Sequence, residues 1–454
     1  MGLPAITVSE LYQDHKLNFR RGRYNILDCG VRTGKTYWAV HHLKDYTRDG
    51  QLNRILFMVN TTILKEQIIQ DYADCCVDAD DMWEYGAKSP AWGDNPDKIG
   101  VMCYQRFGLK AMKRELSFLE NIDVICWDEC DSVFDFATQA FATARRTDFA
   151  RGDITNSEVL HAIQQYSTKK DYMPLVLLGV WEDILHHEDI LCIGLSASPE
   201  RAYAYYSSLV GASYAGKVDA GYRAAESIYF NNIYEHVSKL RPEPDHGYWC
   251  YSPYIEPNKG IVAIAREQGF NAIEIHSPGN EDNPMTPEQM RVYRTIQTTH
   301  MVPYEYDFVV VNAALKNGIT IEDTRFDKVI VNSLKPDDRI QAARQVFPYK
   351  LHLKVWAPEI PARYMRAWLT VPECRELAEY MAINELDTSN KHSSRTMTWN
   401  KLKEYLPHIG YSVQSARKSK NGKQQTCYYI DGEWHDVLPD DNLFLQLVAA
   451  RQAE

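Results

Sequence analysis

The stretch that decides the fold is Tyr24–Thr36, with the sequence YNILDCGVRTGKT. Its first six residues are mostly apolar and suit a buried strand, while the amphipathic run TYWAVHHLKDY that begins at Thr36 suits a helix. In a strand–loop–helix context of this kind, backbone N–H groups at the start of the helix point at phosphate oxygens. Lys35 would add positive charge for the β- and γ-phosphates, and the Thr36 hydroxyl could bind Mg²⁺. The stretch therefore predicts a nucleoside triphosphate site on an α/β sheet.

The candidate phosphate-binding residues are those of the loop and the first helical turn. They are Gly30, Arg32, Thr33, Gly34, Lys35 and Thr36. The strict form of the motif begins with glycine, whereas Cys29 holds that position here. The alternative interpretation is a surface turn that happens to contain Gly-Lys-Thr.

Apolar runs continue to alternate with helical patterns on the carboxyl side of this stretch, to about Ile125. That alternation predicts a doubly wound parallel sheet. A further strand arrives only near Ile190, so residues of about 132–189 are expected to form a helical insertion. The alternation resumes after about Ala225 and should end near Pro358. We therefore expect an α/β domain over residues 1–223, a second one over 224–358 and a smaller domain over 359–454.

Composition is that of a globular protein, with 45% hydrophobic and 24% charged residues in a chain of 454. No apolar run approaches the length needed to cross a bilayer, and the first residues lack the pattern of a signal peptide. We expect a cytoplasmic protein without membrane contact. Ten cysteines without a CxxC pair argue against structural zinc and against a disulfide framework. The net charge of −11 gives no sign of nucleic-acid binding.

A second chemical signal is VICWDECD, Val124–Asp131, in which an apolar strand leads into carboxylates. Carboxylates at the carboxyl edge of a parallel sheet can hold Mg²⁺ and an attacking water. Asp128 would bind the metal, and Glu129 would orient or deprotonate the water. An acidic solvated loop is the alternative, because such loops are common after strands.

The order of these motifs resembles that of superfamily 2 helicases. Lys35-Thr36, DECD and LSASP (Leu195–Pro199) are similar to motifs I, II and III. The resemblance implies two tandem RecA-like P-loop domains that bind ATP and Mg²⁺ between them. It also implies that Ser196 and Ser198 couple the ATP site to the nucleic-acid track.

Further segments of the first domain resemble backbone-contacting motifs of the same family. Phe57–Gln67 and Val101–Phe107 are the two segments. By this resemblance the contacts to nucleic acid would come from Asn60, Thr61, Gln105 and Arg106.

Three segments of the second domain resemble the remaining motifs. They are Trp249–Ile255 for motif IV, Val311–Asp323 for motif V and Asp337–Phe347 for motif VI. The resemblance makes Asn312 and Lys316 backbone contacts. It makes Arg344, with Gln341 beside it, the catalytic arginine finger, worth roughly 10³–10⁵ in rate in related NTPases. Motif VI departs from its usual form, since Ala343 replaces a glycine and a second arginine is missing. Arg339 is the substitute if the register differs, and a plain amphipathic helix is the alternative interpretation.

The segment between Thr388 and Ile430 has eight basic residues and one acidic residue, against the sign of the whole chain. TWNKLKEYL has helical spacing, and Asn421-Gly422 between two strand-like runs indicates a hairpin. A helix followed by a basic hairpin resembles a winged-helix α+β module. The predicted phosphate contacts on the hairpin are Arg417, Lys418, Lys420 and Lys423. A solvated hairpin that only aids solubility is the alternative.

The leading hypothesis is an ATP-dependent DNA helicase or translocase acting in replication, recombination or repair. Its overall resemblance is greatest to phage-encoded helicases and to origin-binding helicases of large DNA viruses, which implies a host cytoplasmic location. Expected partners are single-stranded, forked or branched DNA, together with replication or recombination proteins. One alternative is an RNA helicase of the DEAD-box kind, which DECD and the lack of an upstream glutamine motif count against. Another is an origin- or junction-binding protein whose ATPase only switches binding.

Overall fold

A computed structural model describes most of the chain. The described residues are 7–29, 33–79, 97–149, 154–197, 199–206, 212–218, 226–253, 255–278, 280, 282–312, 315, 321–333, 338, 342, 352–356, 359–382, 399–420, 423–433 and 441–452. The chain divides into two compact units, here called unit 1 (Met1–Tyr222 with Asp441–Glu454) and unit 2 (Arg223–Asp440). The chain therefore leaves unit 1, forms unit 2 and returns to unit 1.

Unit 1 contains a seven-stranded sheet in which all the described pairings are parallel. Its strands are β1 (Tyr24–Cys29), β2 (Ile55–Val59), β3 (Cys76–Asp78), β4 (Ile99–Cys103), β5 (Val124–Asp128), β6 (Leu191–Ser196) and β7 (Ala212–Val218). Their order across the sheet is β3-β4-β2-β5-β6-β1-β7. The motif-bearing strands thus occupy the interior of the sheet, flanked by β3 and β7.

Helices cover both faces of this sheet. Along the chain they are α1 (Val8–Gln13), α2 (Lys35–His42), α3 (Thr62–Asp71), α4 (Tyr104–Met112), α5 (Ser132–Thr147), α6 (Asn156–Tyr166), α7 (Met173–Leu185) and α8 (Glu200–Tyr206). Alternate residues of β2 enter two separate apolar clusters: Leu56 and Met58 one, Phe57 and Val59 the other. Burial on both faces explains why the strands are continuous apolar runs rather than alternating ones.

The chain returns to unit 1 as its last helix, α14 (Asp441–Gln452). Leu447 is fully buried in the same apolar cluster as α5, α6 and α7. The Phe444 ring lies 5.7 Å from that of Phe134, and the Arg451 Nε lies 2.7 Å from a Glu182 carboxylate oxygen. The prediction placed this helix in a separate domain over 359–454. In the structure it belongs to unit 1, because its apolar side chains pack against the helices of the insertion.

Unit 2 has a six-stranded sheet, again with all described pairings parallel. Its strands are β8 (Glu226–Phe230), β9 (Tyr248–Tyr251), β10 (Ala272–Ile275), β11 (Phe308–Val311), β12 (Lys328–Val331) and β13 (His352–Trp356), in the order β10-β11-β9-β12-β13-β8. Its described helices before β13 are α9 (Ile233–Ser238), α10 (Ile255–Glu267) and α11 (Pro287–Thr299). The two parallel α/β sheets agree with the predicted fold class.

Unit 2 also contains a three-stranded antiparallel sheet. It comprises β14 (Trp368–Thr370), β15 (Tyr411–Lys420) and β16 (Lys423–Gly432), with β16 in the middle. Helices α12 (Val371–Ala382) and α13 (Trp399–Tyr405) share an apolar cluster with this sheet. Strands β15 and β16 pair up to Lys420 and Lys423, so the predicted hairpin is present, although its Asn421-Gly422 turn lies outside the described residues. A winged-helix classification of this part stays a prediction.

None of the described helices combines the length and the apolar character that crossing a bilayer requires.

Candidate active site

The candidate site of unit 1 lies at the carboxyl edge of its sheet. Because the strands are parallel, their carboxyl ends meet at one edge. The residues that end or follow β1, β2, β5 and β6 include Gly34 to Thr36, Asn60, Asp128, Glu129 and Ser196. The sheet order places β5 between β2 and β6, so the acidic pair sits in the middle of this set.

The phosphate-loop residues in the described part of the chain start helix α2. Gly34 has φ of 77°, in the left-handed region that glycine adopts without strain. The helix begins directly afterwards at Lys35, and its N-cap Gly34 has no side chain that could accept from the N–H groups of the first turn. Gly30 and Arg32 lie outside the described residues.

Helix α1 contributes to the conformation of this loop. The Val8 N–H donates to the Thr33 carbonyl at 2.9 Å, and Thr33 is fully buried. The contact fixes the loop from the amino-terminal side, a role that the sequence did not indicate.

The acidic residues and Lys35 are brought together by the sheet. Lys35 Nζ lies 2.7 Å from Glu129 Oε1, and the two side chains are only 5% and 4% exposed. Asp128 is also buried, and one of its carboxylate oxygens accepts from the Glu129 N–H at 3.1 Å. Burial strengthens an ion pair electrostatically while making each unpaired charge costly. Lys35 and Glu129 are therefore held as a dry, oppositely charged pair next to Asp128.

Glu129 has an unusual backbone. Its φ of 52° lies in the left-handed region, which costs a non-glycine residue on the order of 1–3 kcal/mol. Strain of this size persists only where the surroundings enforce it. The bend turns the chain from β5 towards α5 and directs the Glu129 side chain at Lys35.

The LSASP segment contacts the acidic segment directly. The Ser196 hydroxyl donates to an Asp131 carboxylate oxygen, and the Cys130 N–H donates to the Leu195 carbonyl at 3.1 Å. These bonds join the end of β6 to the end of β5. Ser198 lies outside the described residues.

The predicted nucleic-acid contacts of unit 1 lie on the same edge. Asn60 is 7% exposed, and its Oδ1 has no hydrogen-bond partner among the residues that the structure describes. Gln105 is exposed and donates from Nε2 to the Asn60 carbonyl at 3.0 Å, and Arg106 beside it is half-buried. Thr61 caps helix α3 by accepting from the Leu64 N–H at 3.2 Å, which gives it a structural role in addition to the predicted one.

Sequence reasoning missed Tyr104 at this edge. Its hydroxyl donates to the backbone carbonyl of Asp128, and its side chain is buried at the start of α4. A tyrosine directly before the predicted contact residues Gln105 and Arg106 was the available signal.

Unit 2 places Asn312 at the end of β11, and other neutral polar side chains lie close to the ends of β9 and β12. Asn312 is 7% exposed, and within the described part of the chain its Oδ1 lacks a hydrogen-bond partner. Asn332 donates from Nδ2 to the Ser252 Oγ at 3.2 Å, and the Ser333 hydroxyl donates to Asp338. Lys316, Gln341 and Arg344 lie outside the described residues.

On the antiparallel sheet of unit 2, the basic residues Arg417 and Lys418 are exposed on β15. The Lys418 ammonium lies 4.5 Å from the centre of the Trp368 ring. Lys420 and Lys423 face one another across the paired strands, and their side chains lie outside the described residues.

No cluster of three His, Cys, Asp or Glu side chains in the described ranges could hold a metal ion alone. Mg²⁺ in phosphate sites is bound through one or two carboxylates together with phosphate oxygens. Asp128 and the Thr36 hydroxyl, beside a lysine and a helix amino terminus, form a donor set of that chemistry.

Residues 14–148, which include the phosphate loop and the acidic pair, match the family described as "Type III restriction enzyme, res subunit". No curated protein matches the chain.

The solved structures similar to this chain include three that are described here. Saccharomyces cerevisiae Dbp5 bound to RNA and ADP BeF3 is 11% identical, with 78% of this chain and 84% of that chain covered and a TM-score of 0.47. Escherichia coli DEAH/RHA helicase HrpB is 12% identical, with 89% and 50% covered and a TM-score of 0.47. Mycobacterium smegmatis helicase Lhr bound to ssDNA and AMP-PNP is 12% identical, with 82% and 47% covered and a TM-score of 0.43. This chain spans about half the length of the last two chains, and likeness at this level transfers neither substrate nor role.

The matched segment and the geometry at the strand ends concern the same residues. Lys35, Asp128 and Glu129 all lie within residues 14–148 and meet at one edge of one sheet. Over residues 14–148 the chain is thus similar to that family at the candidate site itself.

Proposed function

We propose that this protein is a nucleic-acid-dependent ATPase of the helicase type, which hydrolyses Mg²⁺-bound ATP at the Lys35–Glu129 edge of unit 1 and uses it to move along or unwind DNA. The observation that carries the proposal is the buried Lys35–Glu129 pair beside Asp128. A buried pair of this kind is weak evidence for stability, because hydrophobic residues of the same volume often serve better. We therefore attribute the pair, which joins the start of α2 to the residue after β5, to chemistry rather than to stability.

In the proposed mechanism Lys35 exchanges partners. Phosphate oxygens compete with Glu129 for the Lys35 ammonium, supported by the N–H groups at the start of α2, whose N-cap Gly34 has no side chain to accept from them. Glu129 then becomes available to orient or deprotonate the attacking water. Bound Mg²⁺ would neutralise charge on the phosphates, and Asp128 and Thr36 are the residues that would hold it. Arg344, with Gln341, is proposed to stabilise the charge that develops on the transferred phosphoryl group.

Nucleic-acid contact is proposed for the amide side chains at the strand ends of both units. Asn60 and Asn312 are each buried with an amide oxygen that accepts no hydrogen bond from any described residue. Buried polar atoms without partners are uncommon in folded proteins, and a ligand is one way to satisfy them. Thr61, Gln105, Arg106 and Lys316 are proposed to lie on the same track.

The basic hairpin is proposed to add affinity without base specificity. Arg417 and Lys418 are exposed on β15, and contacts of such side chains with phosphates are sequence-independent. The domain over 359–440 is proposed as a winged-helix-like module. Ser196, already bonded to Asp131, and Ser198 are proposed to relay the nucleotide state to the track.

We further propose that the track is DNA. The protein would then act in the replication, recombination or repair of a phage or similar genome. The test compares ATP hydrolysis by the full chain with single-stranded DNA, duplex DNA, forked DNA and RNA, together with unwinding of a labelled fork. Stimulation and unwinding with DNA are expected. Stimulation by RNA alone would favour an RNA helicase, and tight fork binding without strand separation would favour an ATP-switched binding protein.

A further inference from the structure

Two neighbouring residues at the start of α4 hold two different strand ends. The Tyr104 hydroxyl donates to the Asp128 carbonyl at the end of β5, and Gln105 donates to the Asn60 carbonyl after β2 at 3.0 Å. Strand β4 leads directly into both residues and pairs with β2. The first turn of α4 therefore joins the acidic end of β5 to the proposed nucleic-acid contact after β2.

The carbonyl that Tyr104 contacts belongs to the peptide that joins Asp128 to Glu129. Fixing this peptide fixes both carboxylate residues, including the left-handed φ of 52° at Glu129. A non-glycine residue leaves that conformation unless its surroundings hold it. The Tyr104 hydroxyl is a direct contact that can do so.

The Tyr104 side chain is rigidly packed. It is 4% exposed, and its ring meets the Trp181 ring edge-on with centroids 5.2 Å apart, while Trp181 in turn packs on Trp127 at 5.1 Å. Burial raises the pKa of the Tyr104 phenol well above its usual value, so the hydroxyl stays a hydrogen-bond donor. A shift of the first turn of α4 would therefore be transmitted to the Asp128–Glu129 peptide rather than absorbed by the side chain.

Gln105 has the opposite environment, because it is exposed while Tyr104 is buried. We propose that Tyr104 is a positioning residue that couples nucleic acid bound at Gln105 and Asn60 to the Asp128–Glu129 peptide. The inference rests on the proposed nucleic-acid contact at this edge. Nucleic acid bound there would fix the first turn of α4, and the Tyr104 hydroxyl would then hold Glu129 in its catalytic conformation.

The test is Tyr104→Phe in the full chain, which removes the hydroxyl and keeps the ring. The matched control is Tyr206→Phe, a fully buried tyrosine of the same apolar cluster whose hydroxyl has no hydrogen-bond partner among the described residues. ATP hydrolysis is measured with and without saturating single-stranded DNA, duplex DNA and RNA. Tyr104→Phe should lower the stimulated kcat and the ratio of stimulated to unstimulated rate about five- to tenfold, as expected for one lost hydrogen bond. The KM for ATP and the nucleic-acid concentration for half-maximal stimulation should stay within about twofold by the same reasoning.

Tyr206→Phe should keep the full ratio of stimulation. The inference is overturned if Tyr104→Phe folds and keeps the wild-type ratio, or if both variants lose it equally. Gln105→Ala provides a second variant at an exposed position, and it too should lower the ratio. If none of the nucleic acids stimulates the wild-type chain, the proposed function itself fails, which is a different result from a stimulated wild type with an unaffected variant.

Discussion

The two parallel sheets end in different chemistry. At the carboxyl edge of unit 1 the buried polar groups include charges, Lys35, Asp128 and Glu129, whereas the described strand ends of unit 2 carry buried amides and hydroxyls such as Asn312 and Ser252. The central strands are alike, since strands such as β2 and β11 are short apolar runs buried on both faces. The same architecture thus supports two kinds of edge, and function has to be argued from the side chains at the strand ends rather than from the sheets.

The largest expected effect is that of removing the lysine from the charged edge. Lys35→Ala should lower ATP hydrolysis about 10²–10³-fold, because a preorganised charge at the phosphates is lost. Binding of nucleic acid to the basic hairpin should be largely retained. Phosphate release and equilibrium binding measure the two properties.

Unit 2 offers a matched control for this variant. Lys328 is also a mostly buried lysine paired with a glutamate, Glu243, but it lies at the amino end of β12. Lys328→Ala should leave turnover unchanged. An active Lys35→Ala chain, or an equal loss of turnover in both variants, would contradict the assignment of Lys35 to the phosphate site.

The next largest expected effect is a loss of stability on substitution of Asp123, which lies at the amino edge of the unit 1 sheet. The Asp123 carboxylate is fully buried before β5 and accepts hydrogen bonds from Arg54 and Arg48. Burial alone would raise the pKa of Asp123, but the bonds from the two arginines outweigh it and lower the pKa. Asp123→Asn should reduce the free energy of unfolding of unit 1 by about 2 kcal/mol at neutral pH, as for hydrogen bonds to a charged group.

The pH dependence of this effect follows from the lowered pKa. The ionised Asp123 stabilises the fold above the unfolded pKa of about 3.9, and this stabilisation is lost as pH falls through the lower pKa of the folded state. The difference between wild type and Asp123→Asn should therefore shrink below about pH 4. Hydrogen exchange of unit 1 and denaturant titrations at two pH values measure it.

Asp307 in unit 2 is the control for that measurement, since it precedes β11 as Asp123 precedes β5. Burial raises the pKa of Asp307, even though Arg325 acts in the other direction. The charged form is then unfavourable in the folded state, and stability from this group is lost as pH rises through its raised pKa. Asp307→Asn should leave stability at neutral pH unchanged or higher, and a loss as large as that of Asp123→Asn would contradict the assignment.

A smaller effect, on nucleic-acid binding, is expected from the buried amide that follows a strand in each unit, Asn60 after β2 and Asn312 after β11. Asn60→Ala and Asn312→Ala should each weaken nucleic-acid binding about fivefold, the size of one hydrogen bond. Thermal stability should hardly change, because neither amide oxygen has a partner to lose in the described ranges. Fluorescence anisotropy with labelled oligonucleotides and thermal unfolding measure the pair of properties.

Asn25 is the matched control for these amides. It is fully buried, its Nδ2 donates to the carbonyls of Arg20, Arg23 and Cys192, and its Oδ1 accepts from the Arg20 N–H. Asn25→Ala should lower stability without changing affinity. The reverse pattern would mean that Asn60 and Asn312 are structural.

The smallest effect is expected at the hairpin. Arg417→Ala and Lys418→Ala should each reduce the slope of log affinity against log salt by about one, since one phosphate contact is lost in each. Lys259→Ala, at an exposed lysine paired with Glu256 on α10, should leave the slope unchanged. An unchanged slope in the hairpin variants would support the solvated-hairpin alternative.

The strands that could be predicted from sequence are those buried on both faces. YNILDC corresponds to β1, and the runs around Ile55 and Val124 correspond to β2 and β5. Edge strand β7 was missed because ASYAGKV is only partly buried and contains small residues, so it carries neither a continuous apolar run nor strict alternation. Strand β3 is three residues long, too short for either pattern.

The candidate site divides in the same way. Lys35, Asp128 and Glu129 could be predicted because each follows a strongly apolar strand within a local motif. The Tyr104 contact with Asp128 joins residues 24 positions apart, and no local pattern encodes it. Helix α14 packs on helices about 270 positions earlier, as the bond between Arg451 and Glu182 shows. A local sequence pattern cannot predict such a contact either.

The position of α14 has a consequence for synthesis. Because unit 1 includes residues 441–452, its apolar cluster stays incomplete on the ribosome until all of unit 2 has been made. A fragment that stops at residue 222 should therefore expose the apolar surface around Phe134 and should aggregate more readily than a fragment in which α14 is joined back by a short linker.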